Sequence, residues 1–313
     1  MSAINNSIQA VLSMILIVSV GYGFARKDWL SEKTSKNLIS MITSVSIPCM
    51  MLNTMTTNFN KESLINSIQK LHIPIISIII TIFVGIIYCK VFSIKKNKGL
   101  FMSMFFNSNT IFIGLPINMA LFGEKSLPYV LVYFIGNTMF FWTLGVYEIA
   151  SDNPKNRALS FKSRLRNIFS PPLLGFIIGA ILVILDIRIP LFLSKSFKSL
   201  GDLTTPIAML FVGRCVYNLD FKKVKFSKEI IGVLIGRFIL SPMVLMVTTM
   251  IFNLKGIARD VFFIQSAMPV MTTVAIMSKA YGVDEQYASI MVGLTTILSL
   301  VTIPIYIFIL NYI

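Results

Sequence analysis

Phe106-Asn107-Ser108-Asn109-Thr110-Ile111-Phe112-Ile113-Gly114-Leu115-Pro116 is the stretch on which the fold turns. It lies within an apolar run, 99–121, long enough to cross a bilayer, for which about 20 apolar residues suffice. Two amides and two hydroxyls at 107–110 are costly in hydrocarbon unless something compensates them. A proline inside a helix removes one N–H and displaces the carbonyl four residues earlier, so Pro116 is expected to free that of Phe112. Gly114 beside it predicts a break rather than a mild kink. Broken helices persist in a membrane only where they line a protein cavity. The second half-helix then offers unpaired N–H groups and a partial positive charge near the midplane, a seat suited to an anion. Asn107 and Asn109 both donate and accept, so they can hold a carboxylate or cap exposed backbone, and Thr110 adds a hydroxyl.

The pattern recurs. Gly114-Leu115-Pro116-Ile117 has a counterpart in Ala267-Met268-Pro269-Val270, followed by Thr272 and Thr273, and Pro269 is expected to free the carbonyl of Gln265. Further upstream, Ser46-Ile47-Pro48-Cys49-Met50-Met51-Leu52 is matched by Thr204-Thr205-Pro206-Ile207-Ala208-Met209-Leu210. Pro48 and Pro116 are 68 residues apart, Pro206 and Pro269 63. Ten apolar runs of spanning length are read: 8–25, 37–56, 72–90, 99–121, 127–149, 171–187, 200–216, 229–253, 260–280 and 286–310. Each paired element returns five runs later. Since five is odd, the second copy enters the membrane from the opposite face, the inverted repeat common in secondary transporters. The expected organisation is an all-α integral membrane protein of ten transmembrane helices, a 5+5 inverted repeat with helices 4 and 9 broken. Its parts are a first repeat at 1–150, a basic cytoplasmic connector at 151–170 and a second repeat at 171–313.

Composition agrees with this outline. Of 313 residues, 55% are apolar and 13% charged, about half the charged share of soluble domains, and the mean hydropathy is +0.79. The net charge of +15 arrives in short bursts between the runs rather than as a nucleic-acid-binding face. Loops after the odd runs carry 18 Lys and Arg, loops after the even runs 8. By the positive-inside rule both termini fall outside the cytoplasm. Arg26-Lys27 follow the first run and no basic residue precedes it, the wrong polarity for a cleaved leader.

Charges within the runs are few. Arg237 lies about 12 Å into the eighth run at 1.5 Å per residue. Two roles are open to it, snorkelling to the inner surface or a buried role, attracting an anion or locking onto a carboxylate such as Glu148. Asp202, at the start of the seventh run, is a candidate coupling carboxylate or a helix cap, and His72 a candidate proton relay or a plain interfacial residue. Cys49, Cys89 and Cys215 lie far apart beside a single histidine, which predicts neither a metal site nor a disulfide framework. No nucleophile–base set, phosphate loop or dinucleotide fingerprint is present, so an enzyme and a resident cofactor are not expected.

These residues resemble the auxin efflux carrier family, which includes bacterial organic-acid permeases and plant PIN-type carriers. Asn109-Thr110-Ile111-Phe112-Ile113-Gly114-Leu115-Pro116 followed by Leu121-Phe122-Gly123 is similar to its N-T-x-x-x-G-x-P…G signature. Gln265-Ser266-Ala267-Met268-Pro269, continuing to Lys279-Ala280-Tyr281-Gly282-Val283-Asp284, is similar to its Q-x-x-x-P…A-x-x-Y-x-V pattern. The resemblance runs over nearly the whole chain, without the large cytoplasmic loop of long plant members. It implies a carrier of small organic anions such as malate, malonate or an auxin-like acid, acting as a homodimer in the cytoplasmic membrane. Asn109 would bind carboxylate where Pro116 and Pro269 form the crossing. Plant members support the site with Asp-Ser-Leu-Gln-Lys; the local counterpart is Asn66-Ser67-Ile68-Gln69-Lys70, which lacks the acid. Coupling to H+ or Na+ stays open. Two other readings remain: a cation or proton antiporter of related fold, weakened because no acidic residue lies near Pro116 or Pro269, and a membrane metabolite sensor that transports nothing.

Overall fold

A computed structural model describes residues 2–154, 171–218 and 227–310. Most of the expected connector and eight of the basic loop residues (Lys155, Arg157, Lys162, Arg164, Arg166, Lys222, Lys223 and Lys225) lie outside the described residues. The chain is helical almost throughout, and among the described residues there is no strand. In order the helices are α1 Ser2–Arg26, α2 Glu32–Met41, α3 Ile47–Asn58, α4 Lys61–Gln69, α5 His72–Val91, α6 Lys98–Phe106, α7 Leu115–Phe122, α8 Leu127–Phe140 and α9 Val146–Ser151. After the connector come α10 Pro171–Ile184, α11 Leu191–Gly201, α12 Thr204–Asn218, α13 Lys228–Ile235, α14 Ser241–Ile251, α15 Ile257–Ser266, α16 Thr273–Ala280 and α17 Glu285–Leu310. Among the described residues five segments are long and apolar enough to cross a membrane: Glu32–Asn58, Lys61–Val91, Thr110–Ser151, Lys228–Ile251 and Glu285–Leu310. Shorter apolar helices run over Ile15–Arg26 and Pro171–Ile184.

The prolines are handled differently from the expectation. Pro48, Pro116 and Pro242 each stand second in an α-helix that follows directly on a π-helical turn, Ile42–Ser46, Thr110–Gly114 and Gly236–Leu240 respectively. A proline strips the helix of one N–H and crowds the carbonyl four residues back. A turn bonded over five residues absorbs that misfit: Ile47 N–H donates to Ile42 O and Ser241 N–H to Gly236 O. Pro116 therefore sits in continuous helix, and the interruption of its segment falls upstream, at Asn107–Asn109. Pro206 stands in the first turn of α12, where its missing N–H costs nothing.

The molecule divides into two compact units. One takes Met1–Lys70, Ile111–Val132 and Phe169–Tyr217; the other takes Leu71–Thr110, Tyr133–Ile168 and Asn218–Ile313. This grouping follows packing, whereas the expected five-helix repeat concerns sequence order, so each unit draws on both halves of the chain.

In the first unit α10 and α11 lie along α3. Gly175 of α10 permits the close approach: a Cβ there would stand 2.6 Å from Pro48 Cα. Two short helices without a spanning-length run behind them, α4 and α11, were not anticipated as separate elements.

The second unit is centred on α6, in which every residue from Gly99 to Phe106 is buried. An apolar helix buried on all sides belongs to an interior. Its phenylalanines and methionines pack among Ile78, Phe141, Val233, Val270 and Met291. The outer faces are apolar too: Phe83, Ile87, Met243, Val247 and Ile251 are exposed, as lipid contact requires and water would punish. The start of α6 is fixed by Asp152, whose two carboxylate oxygens accept from Gly99 N at 2.8 Å and Leu100 N at 2.7 Å. An anion at a helix N-terminus is favoured by both the free N–H groups and the macrodipole. Asp152→Asn keeps one acceptor and loses the charge. It should lower stability by about 1–2 kcal/mol, read as an earlier thermal transition of the purified protein.

Candidate functional site

Within the second unit two non-helical stretches meet. The first, Asn107–Asn109, separates α6 from the π turn that begins at Thr110; the second, 267–272, separates α15 from α16. They run antiparallel and join in a single bridge between Ser108 and Val270, with Asn109 N donating to Pro269 O at 2.8 Å. Residues 101–110 and 261–270 are all buried. In such surroundings every main-chain group requires a partner, because no water is available to replace a missing helical bond.

The partners come from four directions. Asn137 of α8 satisfies both polar groups of Ser108: its Oδ1 accepts from Ser108 N at 2.9 Å and its Nδ2 donates to Ser108 O at 2.9 Å. Thr295 of α17 accepts from Val270 N at 3.1 Å. Gln265 at the end of α15 donates to Thr110 O at 3.2 Å. Arg237, fully buried in the π turn Gly236–Leu240, donates to Met268 O, Ser266 O, Phe105 O and the Ser108 hydroxyl. The earlier alternatives for Arg237 are thus resolved against snorkelling and against Glu148. Its partners are three main-chain carbonyls and the Ser108 hydroxyl, and no ion pair among the described residues includes it. The carbonyl of Gln265, expected to be freed by Pro269, accepts from Met268 N at 3.3 Å in a local turn.

Several side-chain oxygens at the crossing have no protein partner among the described residues: Asn107 Oδ1, Thr110 Oγ1 and Gln265 Oε1. Buried acceptors of this kind are uncommon and need a reason. Thr272 and Thr273, where α16 begins, are half-buried, in contrast to the sealed residues before them.

Of the residues singled out from the sequence, Asn107, Asn109, Thr110, Met268 and Pro269 come together at this crossing with Arg237, and Thr272 and Thr273 open the helix that follows. Gly114 and Pro116 belong to the first unit, where the buried Asn118 amide reaches back to Gly114 O at 2.7 Å. Asn66, Lys70, Pro48, Pro206 and Asp202 also belong to the first unit. There Lys70 Nζ donates to Asn66 O at 2.8 Å and stands 5.8 Å from the Tyr129 ring centre. Asp202 pairs with Lys198 one turn earlier at 3.3 Å and is largely exposed. His72 packs edge-on against Phe252 with ring centres 4.9 Å apart. A cavity of about 610 Å³ lies in the first unit between the ends of α3 and α10, with Lys61, Asp186 and Arg188 on its wall.

Asn137 and Thr295 were not selected from the sequence. A lone amide in the fifth apolar run was the available signal, since polar groups inside spans are expensive to keep.

An interior built from crossed, interrupted helices under an apolar exterior is that of a multi-pass membrane transporter. A family model described as "Membrane transport protein" matches residues 6–307, and the chain belongs to that family, the one that includes the auxin efflux carriers. Two curated relatives are uncharacterized transporters of archaea. The one from Methanocaldococcus jannaschii is 26% identical over 95% of this chain and 96% of its own length. The one from Methanothermobacter thermautotrophicus is 23% identical over 96% of this chain and 97% of its own length.

Proposed function

We propose that the protein is a secondary carrier of a small organic anion, a carboxylate such as malate, malonate or an auxin-like acid. The observation that carries this reading is the paired interruption of two helices at Ser108 and Val270. Beyond it the chain restarts as helix at Thr273, so within this unit an electropositive helix beginning, with Thr272 and Thr273 at its start, follows the stretch that Asn109 meets. Asn109 supplies the amide that meets the carboxylate, and the apolar residues around it meet the body of the substrate. Transport proceeds by alternating access. The crossing lies in one compact unit, so a rocking motion carries the binding groups as a body from one face to the other. The wider arrangement proposed is ten membrane-spanning helices in two inverted sets of five, joined by the basic connector. Both termini lie on the non-cytoplasmic side of the cytoplasmic membrane, and the protein is a homodimer.

Uptake of a labelled dicarboxylate into proteoliposomes tests this directly. Asn109→Ala should lower uptake by about tenfold or more, because a hydrogen bond to a charged group is worth about 1.5–3 kcal/mol. Robust wild-type uptake unchanged by the substitution would remove Asn109 from the site. Saturable binding with no flux would replace the carrier by a sensor.

A further inference from the structure

The environment of Arg237 explains how a guanidinium can be fully buried with no carboxylate beside it. Its Nε and Nη2 reach Met268 O at 3.1 and 2.9 Å, Nη2 also reaches Ser266 O at 2.5 Å and Ser108 Oγ at 2.6 Å, and Nη1 reaches Phe105 O at 3.3 Å. Ser266 is the last residue of α15 and Phe105 the last but one of α6. The side chain therefore rests on the C-terminal ends of both first half-helices. Each such end carries roughly half a negative charge, so the two together balance about one positive charge. The counter-ion of Arg237 is a pair of helix ends.

Three carbonyl oxygens and a hydroxyl converging on one cation are the donor set that a bare alkali cation would also take. In crossed-helix carriers, unwound carbonyls and half-helix C-terminal ends are where a coupling Na+ binds. We infer that Arg237 is a built-in cation that holds this seat permanently, so the crossing takes up no Na+ or other monovalent cation during its cycle. A tethered charge keeps the two half-helix ends neutral at every stage. It leaves the opposite, electropositive beginning at Thr273 free of a competing mobile ion. Arg237 is here a positioning residue; it sets the charge of the crossing and touches no substrate.

The inference concerns the crossing's charge and does not rest on which substrate is carried, so its test uses melting rather than flux. Full-length wild type, Arg237→Lys and Arg237→Ala are purified, and their thermal transitions are compared in choline, sodium, potassium and guanidinium chlorides at matched ionic strength. Wild type and Arg237→Lys should melt at the same temperature in choline and in sodium. Arg237→Ala should melt lower in choline and recover by about 3 °C or more when sodium, potassium or dilute guanidinium fills the vacated oxygens. Stabilisation of Arg237→Ala by sodium or potassium, which restore the charge and are far smaller than the deleted side chain, is what a purely space-filling role would not give. The inference fails if sodium raises the wild-type transition as much as that of Arg237→Ala. It also fails if Arg237→Ala elutes as a folded species and responds to none of the three cations. Should Arg237→Ala yield no folded protein in any salt, wild type and Arg237→Lys decide: sodium stabilisation of either overturns the proposal, and indifference of both upholds it.

Discussion

Gly99→Ala should yield little or no folded protein, whereas Gly23→Ala should purify and melt like wild type. A Cβ at position 99 would lie 1.8 Å from Glu148 O and 2.5 Å from Glu148 C, far inside the roughly 3.5–4.0 Å at which carbon contacts are favourable. The obstruction is main chain of α9, which has no rotamer to change. Nor can α6 withdraw, because Asp152 holds Gly99 N and Leu100 N at hydrogen-bond distance from the same corner. Overpacking an ordinary core position costs about 1–3 kcal/mol, and a backbone collision at a pinned helix start should exceed that. At Gly23 a Cβ would meet nothing within 4 Å, so the control carries the same chemical change without the collision. Yield of monodisperse protein and its thermal transition report the difference. Near-normal melting of Gly99→Ala would show that α6 and α9 are not packed as described.

Asn137→Leu should destabilise the protein by about 2–5 kcal/mol and abolish uptake in proteoliposomes. Leucine nearly matches asparagine in size but removes both hydrogen bonds to Ser108. The Ser108 carbonyl would keep its bond from Thr110 N at 3.0 Å, so the heavier loss falls on the Ser108 N–H. Polar side-chain bonds between membrane helices are often worth only about 0.6 kcal/mol, because the groups find other partners when one is removed. The N–H of Ser108 is in an extended segment within a sealed interior and has no helical bond to fall back on. A loss under 1 kcal/mol with normal uptake would show that Asn137 does not hold the crossing together.

The sequence carried the coarse outline because hydrophobic length and proline are local signals. Apolar runs mark where helices must lie, and a polar cluster such as Asn107–Thr110 marks where one cannot continue unaided. Position was harder. Pro116 suggested an interruption at itself, yet a wide turn accommodates it and the polar residues upstream become the extended segment. In the other stretch the interruption includes Pro269, since no such turn precedes it. The partners of the crossing were out of reach for another reason. Arg237 binds carbonyls of residues more than a hundred positions earlier and about thirty later, and main-chain acceptors leave no mark in a pattern of side chains. Asn137 was visible as an isolated amide, but nothing near it in the chain names Ser108 as what it holds.

The lone rung between Ser108 and Val270 has a mechanical meaning. One rung alone would act as a loose pivot, but the Arg237 guanidinium rivets Phe105 and Ser108 to Ser266 and Met268, and the Gln265 amide adds a further tie to Thr110. Torque applied to either strand of the joint is therefore shared by side chains, and one substitution at Arg237 would turn a stiff coupling into a slack one.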